Sequence, residues 1–285
     1  MAIDEKKLLR RKIDDVSQRY GSHETALYAL GLGLGLNPAD EHALRFVVGP
    51  DAVLPTFATA LAQNRDWFWE PDIGLDVASS VHAEQALTLH ARLPATAAIN
   101  GRCDVEDVID KGAGRGAIVV CRATLTDAVD GALYATMLQS VFFRRDGGFG
   151  GSNKGGKPRV VMPARSPDAT VLHPTSPQTA LIYRLSGDRN PLHCDPEVAR
   201  RAGFDRPILH GLASFGIAGY AIGRTFCQDD AWAMRSISCR FTAPAFPGDT
   251  LAVQLWRDAS IVRFRVVCAE SGRVVIDHGR AELTL

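Results

Sequence analysis

Short runs of alternating apolar and polar residues recur in both halves of the chain, and a two-residue period predicts β-strands. The runs form two groups of four, and turn-forming Gly, Pro, Asp and Asn residues separate them. Strands joined by such short turns pair in the antiparallel direction. The predicted strands are residues 84–93, 96–105, 117–126 and 131–144 in the first half, and 233–241, 250–256, 261–269 and 274–283 in the second.

Apolar segments before each group of strands predict helices. Leu209–Phe226 is apolar and rich in small residues, which predicts a buried helix that other backbone approaches closely. Val53–Gln63 predicts a shorter apolar helix, and Glu24–Gly31 predicts another. Asp4–Tyr20 is a charged lead-in for which we expect a short helix, whereas Thr179–Leu185 fits either a helix or a strand.

The two halves share one order of features: a Tyr-x-Leu segment, a loop, an apolar helix and a group of strands. Tyr28–Leu30 precedes the helix at 53–63 as Tyr183–Leu185 precedes the helix at 209–226. An order that repeats in this way predicts a duplicated unit. We therefore expect an α+β fold in which each copy packs one helix against an antiparallel sheet.

A glycine-rich segment separates the two copies. Gly147–Gly156 contains six glycines, which is the composition of a flexible linker. Domain boundaries fall in such linkers, so we expect an N-terminal domain at 1–155 and a C-terminal domain at 156–285.

Composition excludes several classes of function. The 285 residues are 46% hydrophobic and 22% charged, as in soluble globular proteins. Lys plus Arg equals Asp plus Glu at 32 each, so we expect no nucleic-acid surface. No run of 18 apolar residues predicts a membrane span. The six cysteines are scattered and the first twenty residues lack an apolar signal core, which together favour a cytoplasmic protein with reduced thiols.

The segment 187–196 (Gly-Asp-Arg-Asn-Pro-Leu-His-Cys-Asp-Pro) concentrates reactive side chains around a turn. Asp188, Asn190 and His193 lie within six residues, and a carboxylate beside an imidazole is the pair that general acid–base catalysis uses. The Asp-Pro pair at the end predicts the N-cap and first turn of a short helix at 196–202. The alternative is a solvated turn whose Asp and His only cap backbone groups.

The first half has no Asp or His at the place that corresponds to Asp188 and His193. We therefore expect the second copy to carry the chemistry. The first copy then supplies shape, such as a wall for a ligand.

The segment YRLSGDRNPLHCDPEVARRAGFDRPILHGLASFG, residues 183–216, resembles the MaoC-like family of (R)-specific enoyl-CoA hydratases, known as hydratase 2. The first half is similar to the N-terminal domain of the two-domain members, and the resemblance extends from about residue 20 to residue 285. The similar stretches are LYALGLGLG (27–35), LPTFA (54–58), VHAEQ (81–85), DVIDKGAG (107–114) and GGFGG (147–151). The resemblance implies a double hotdog fold, in which a curved antiparallel sheet wraps each of two helices.

The resemblance also assigns roles to residues. It implies that Asp188 and His193 form the catalytic dyad, that Asn190 helps to hold water and substrate, and that the Gly211 N–H binds the thioester oxygen. Ala83 replaces a glycine that is usual in the family, and we expect the added methyl to shorten or reshape the acyl pocket. The residues that fall where similar proteins contact the acyl-CoA are His82, Ala83, Lys111 and Phe241.

The activity implied by the resemblance is the reversible hydration of trans-2-enoyl-CoA to (3R)-3-hydroxyacyl-CoA, by a homodimer without metal or organic cofactor. We favour Asp188 as the base toward water and His193 as the group that orients water and donates a proton. One alternative is a dehydratase of carrier-bound 3-hydroxyacyl groups, and another is a non-catalytic acyl-thioester-binding module. A dehydrogenase using Gly31–Gly35 is disfavoured, because that glycine run follows a helical segment rather than a strand.

Overall fold

The computed structural model describes residues 3–49, 52–70, 72–77, 80–152, 159–227 and 230–284. Its main element is one ten-stranded sheet in which every pairing is antiparallel. The strands in chain order are β1 Val16–Tyr20, β2 Ser80–Leu89, β3 Ala97–Asp110, β4 Ala117–Asp127, β5 Leu133–Phe143, β6 Ala169–Pro174, β7 Met234–Phe241, β8 Thr250–Asp258, β9 Ile261–Cys268 and β10 Val274–Leu283.

The strand order confirms the internal repeat. The sheet runs β1-β3-β4-β5-β2-β7-β10-β9-β8-β6. From the centre outward, the order is β2, β5, β4, β3, β1 in the first half and β7, β10, β9, β8, β6 in the second. Each half thus places its second strand at the centre, followed by its fifth, fourth, third and first strands. The halves meet where β2 pairs with β7, with Gln85 opposite Cys239.

The helices lie against this sheet. The longest, α6, has 16 residues and is buried along most of its length, as the apolar segment predicted. Close packing explains its glycines: a Cβ at Gly216 would lie 2.7 Å from the Tyr28 hydroxyl, and one at Gly219 would lie 2.6 Å from a Thr56 methyl. The helices are α1 Glu5–Leu9, α2 Ser22–Gly31, α3 Glu41–Val48, α4 Thr179–Tyr183, α5 Pro196–Arg201 and α6 Gly211–Phe226.

The counterpart of α6 in the first half is much shorter than the helix predicted at 53–63. It is a six-residue 3₁₀ helix, Pro55–Ala60, and the chain then turns at Ala62, whose φ is +47°. Beyond that point the backbone runs tightly against β3, since a Cβ at Gly101 would lie only 2.0 Å from the Ala62 carbonyl oxygen. This contact leaves no room for further helical turns.

The two edge strands, β1 and β6, differ from the sequence-based expectation. Asp4–Tyr20 contains α1 but ends in β1, which pairs with β3 through Val16 and Gly101. The edge strand β6 was not predicted. Its sequence hides the alternation, because Leu172 is exposed and His173 is buried.

Part of the glycine-rich segment is anchored rather than free. The Gly148 and Gly150 N–H groups donate to the Asp110 carboxylate at 2.7 and 2.8 Å, and Gly151 donates at 3.3 Å. The predicted boundary between residues 155 and 156 lies outside the described residues. No helix in the described ranges is both long and apolar enough to cross a membrane.

Candidate active site

The turn before α5 is built as its sequence predicts. Gly187 has φ +125°, and the Asn190 side-chain oxygen accepts the Leu192 N–H at 3.0 Å to start a short 3₁₀ helix. The Asp195 carboxylate then accepts N–H groups in the first turn of α5. Each end of the turn is therefore fixed, which holds the side chains between them in place.

His193 is neutral, and one of its nitrogens is held by the backbone. Its side chain is 9% exposed, and Nδ1–H donates to the Ile208 carbonyl oxygen at 2.9 Å. Burial lowers the pKa of His193 against the opposing pull of Asp188. The Nε2 lone pair consequently remains available as a proton acceptor.

Asp188 is ionised and is held by an arginine from the other half of the chain. Its Oδ2 lies 2.6 Å from Nη1 of Arg65, and its Oδ1 accepts the Asn190 N–H at 3.3 Å. Burial alone would raise the pKa of Asp188, but the Arg65 charge, with His210 and His193, outweighs burial and holds that pKa below its usual range. Arg65 was not among the predicted site residues. Its signal was a charged residue beside the aromatic run Trp67–Trp69.

His210, for which a structural role was favoured, lies at the centre of the site. Its ring stacks on the His193 ring with centroids 3.7 Å apart, and Nε2–H donates to the Asp188 carbonyl oxygen at 3.2 Å. Burial and the neighbouring His193 lower the pKa of His210 to about 3. His210 is therefore a neutral residue that supports both His193, through ring stacking, and Asp188, through a backbone hydrogen bond.

Asp188, His193 and Arg65 line a cavity of about 660 Å³. Gly211 opens α6 beside it, and the first N–H groups of a helix lack partners within that helix. A Cβ at Gly211 would lie 3.1 Å from the Phe241 ring, so a glycine leaves this corner open. Six predicted site residues line the cavity: Asp188, Asn190, His193, Gly211, His82 and Phe241.

The remaining two predicted contact residues do not line this cavity. Ala83 is the extra residue of a bulge in β2, between His82 and Glu84, and its φ is not positive, so an alanine fits there without strain. Lys111 lies after β3, where its N–H donates to the Gly116 carbonyl oxygen at 3.0 Å. The roles of Ala83 and Lys111 in binding acyl-CoA stay predictions.

His82 and Phe241 form one part of the cavity wall. Their rings lie 4.7 Å apart, and His82 Nε2–H donates to the Glu84 carbonyl oxygen at 3.0 Å. Burial, helped by the Arg65 charge, lowers the pKa of His82 to about 4. The wall is thus uncharged and suited to an acyl group.

Arg65 also lines a second, smaller space of about 10 Å³ that extends into the first half. A cavity of this size holds about one water molecule. The two spaces share five lining residues, namely Gln63, Arg65, Phe68, Gln139 and Leu212.

Two groups of described residues have ligand atoms close enough for a metal ion. They are Asp188 with His193 and His210, and Asp249 with Cys268 and Glu270, each group within 4.8 Å. In the first group the two imidazoles are stacked at 26°. Their in-plane lone pairs therefore run side by side instead of converging on one ion, which favours hydrogen bonding over chelation.

Comparison with known proteins shows the family. A profile described as "MaoC like domain" matches residues 160–278, and one described as "MFE-2 hydratase 2 N-terminal domain" matches residues 19–145. Enoyl-CoA hydratase ChsH3 of Mycobacterium tuberculosis is 36% identical over 284 residues, which cover 98% of each protein. 3-hydroxyacyl-thioester dehydratase Y of the same organism is 40% identical over 272 residues, which cover 91% of each.

A solved structure agrees with these sequence matches. The crystal structure of a MaoC-like dehydratase from Phytophthora capsici matches with a TM-score of 0.85 at 32% identity and covers 98% of each chain. These matches, together with the strand order that repeats in the two halves, show that the chain belongs to the MaoC-like hydratase 2 family of hydro-lyases and has the double hotdog fold.

Proposed function

We propose that the protein catalyses the reversible, (R)-specific hydration of trans-2-enoyl-CoA to (3R)-3-hydroxyacyl-CoA. The observation that carries this proposal is the pairing of a neutral His193 with an ionised Asp188 at one cavity, beside the start of α6. Hydration of an enoyl thioester needs a base for water, a proton for the α-carbon and a donor for the thioester oxygen.

Each requirement has a candidate group. His193 Nε2 accepts a proton from water as the water oxygen bonds to the β-carbon, and the electron pair of the double bond moves onto the thioester oxygen. The Gly211 N–H stabilises that oxyanion, and Asp188 stabilises the imidazolium. The imidazolium then gives its proton to the α-carbon, so the elements of one water are added and the enzyme is unchanged.

This assignment reverses the roles that the sequence favoured for Asp188 and His193. An aspartate whose pKa is held low by Arg65 is a weak base. A neutral imidazole with a free Nε2 is a better one. Because one imidazole both removes and returns the proton, hydroxyl and hydrogen add to the same face of the double bond.

The test is hydration of crotonyl-CoA and of a longer trans-2-enoyl-CoA by the purified protein, followed as loss of enoyl-thioester absorbance. We expect turnover with an (R)-configured product, and its loss in His193→Ala. His90→Ala is the matched control, since His90 is exposed and bonds the Thr136 hydroxyl at 2.9 Å. An (S)-configured product, or equal rates in wild type and His193→Ala, contradicts the proposal.

A second candidate is the dehydration of a 3-hydroxyacyl group on a carrier protein. It is favoured by the relative named 3-hydroxyacyl-thioester dehydratase Y, and the same site would run the reaction in reverse. Comparing kcat/KM for one acyl chain on coenzyme A and on a carrier protein separates the two. Tight acyl-CoA binding without turnover would instead indicate a binding module.

We also infer a cytoplasmic homodimer that works without metal or organic cofactor. The dyad and the helix N–H supply every group that the proposed steps need, so dialysis against a chelator should leave turnover unchanged. Light scattering should give twice the 30.8 kDa chain mass. A monomer, or activity that returns only with added metal, contradicts these parts of the proposal.

A further inference from the structure

The ion pair between Arg65 and Asp188 joins the two halves at the dyad. Nη1 of Arg65 lies 2.6 Å from Oδ2 of Asp188, and the two side chains are 25% and 21% exposed. Arg65 lies five residues after the 3₁₀ helix Pro55–Ala60, at the N-cap of a second 3₁₀ helix, Asp66–Trp69, and Nη2 donates to the Thr59 carbonyl oxygen at 3.4 Å. The guanidinium is therefore anchored on one side and presented to the carboxylate on the other.

Arg65 is the cation that pairs directly with the dyad among the described residues. Tyr183 and His210 pack beside the pair and are uncharged near neutral pH, because burial raises the pKa of the tyrosine and lowers that of the histidine. The other titratable or charged groups around Asp188 and His193 are His82 on β2 and, along the cavity, Asp66, Arg144 and Arg189.

We propose, resting on the function proposed above, that Arg65 is a positioning residue through which the non-catalytic half fixes the orientation and the negative charge of Asp188. The two carboxylate oxygens then have separate roles. Oδ2 is held by Arg65, while Oδ1 is held by the Asn190 N–H and keeps lone pairs for water or for the His193 imidazolium.

The same cation acts on His193. Burial is the largest cause of the lowered pKa of His193, Asp188 opposes it, and the Arg65 charge adds to the lowering. Removing the charge should raise the pKa of both Asp188 and His193. The enzyme would then lose its neutral base at a higher pH.

The test compares Arg65→Met and Arg65→Lys with wild type across a pH series. For Arg65→Met we expect kcat at pH 7 to fall by on the order of 10²-fold with little change in KM. The acid limb of kcat/KM should move up by on the order of one pH unit. Arg65→Lys should recover most of the pH shift but less of kcat, because an ammonium keeps the charge and loses the planar fork.

The matched control is Arg92→Met. Arg92 pairs with Asp230 at 2.5 Å, so it also joins the first half to the second, but both side chains are largely exposed and neither lines the cavity. We expect its pH profile to match that of wild type. An unmoved acid limb in Arg65→Met, or an equal shift in Arg92→Met, overturns the proposal.

Two measurements keep the role of Arg65 separate from the proposed function. The His193 imidazole resonances, followed by NMR without substrate, should titrate at a higher pH in Arg65→Met even if wild type hydrates no enoyl-CoA. In a thermal-unfolding cycle, Asp188→Asn should restore much of the stability that Arg65→Met loses, because the double variant buries no unpaired charge. Strict additivity of the two substitutions contradicts the pairing.

Discussion

The two halves build the same turn on the same scaffold, but only one turn carries reactive side chains. In the first half the Asn37 side-chain oxygen accepts the N–H two residues later at 3.0 Å, and Asp40 caps α3. In the second half Asn190 makes the same bond at 3.0 Å, and Asp195 caps α5. The comparison separates residues that shape the turn from residues that react.

The reactive pair is the part that differs. Gly35 stands three residues before Pro38 in the first half, where Asp188 stands three residues before its own proline in the second. The first turn is also two residues shorter between the proline and the capping aspartate, which leaves no counterpart of His193. The first half therefore keeps the turn without the dyad.

The segment that opens the central helix differs in a related way. LPTFA (54–58) in the first half matches LHGLA (209–213) in the second, so Thr56 stands at the place of Gly211. The Thr56 side chain packs against Gly219 of α6 and fills its corner, whereas Gly211 leaves a corner open to the cavity. The first half therefore has core packing at the place of the proposed oxyanion donor, and it contributes Arg65 as the partner of Asp188.

The strongest way to break this comparison is Asp188→Asn set beside Asp195→Asn. Asp188→Asn keeps the size of the side chain and removes its charge, so turnover of enoyl-CoA should fall by about 10²- to 10⁴-fold. Asp195→Asn should stay close to wild type, because asparagine caps a helix as well as aspartate does. Thermal unfolding checks that both variants fold. If Asp188→Asn kept most of its activity, the turn of the second half would have only a structural role, as in the first half.

Gly211→Pro and Gly211→Ala sharpen the comparison at the oxyanion donor. Proline is tolerated at the first position of a helix, and His210 already has the extended φ −58°, ψ 132° that a following proline requires. Both variants crowd Phe241, but only proline removes the N–H. We expect kcat of Gly211→Pro to fall about 10²- to 10³-fold below that of Gly211→Ala. Equal kcat values would place the oxyanion donor elsewhere.

The part of the site that is local in sequence could be predicted, and the part that depends on tertiary contacts could not. The turn at 187–196 and α6 each carry their signals within one segment, so Asp188, His193 and Gly211 were accessible. Arg65 reaches Asp188 across more than a hundred residues, and its own neighbours describe only an aromatic cluster. The ion pair between Arg65 and Asp188 depends on how the two halves pack together, which no local sequence pattern reveals.

The same limit applies to the fold. The strand order that repeats in the two halves follows from the sequence repeat. Eight of the ten strands could be predicted from their alternating pattern. The apolar segment at 53–63 resembled a helix because its side chains are buried, but the close approach of Ala62 to Gly101 ends it after six residues. Local propensity could not reveal that contact.

Burial strongly lowers the pKa of one histidine from each half, His82 and His210, and acid should destabilise the fold through both. The pKa of His82 is lowered to about 4 and that of His210 to about 3. Burial is the largest cause of both shifts. The Arg65 charge adds to the shift of His82, and His193 adds to the shift of His210. In the unfolded chain both titrate near pH 6.5, so the unfolded state binds more protons as pH falls below that value. The free energy of unfolding should drop by on the order of 2 kcal/mol per histidine between pH 7 and pH 5.

Urea unfolding across this pH range measures the effect. His82→Gln and His210→Gln should each flatten the pH dependence by about one proton. Asp188 does not contribute in this window, because its pKa is lowered and its stabilising charge is lost only below about pH 4. A pH dependence that neither substitution changes would mean that other groups govern acid stability.

The smallest expected effects compare three glycines of α6. Gly216 and Gly219 face elements of the first half, where a new Cβ would lie 2.7 Å from the Tyr28 hydroxyl and 2.6 Å from a Thr56 methyl, so each alanine should cost about 1–3 kcal/mol of unfolding free energy. At Gly223 the nearest atom is 4.0 Å away, so Gly223→Ala should stabilise the protein by about 0.5–1 kcal/mol. Chemical denaturation measures all three. Equal effects at the three positions would mean that packing between the halves does not depend on these glycines, and that the small-residue pattern of α6 reflects the helix alone.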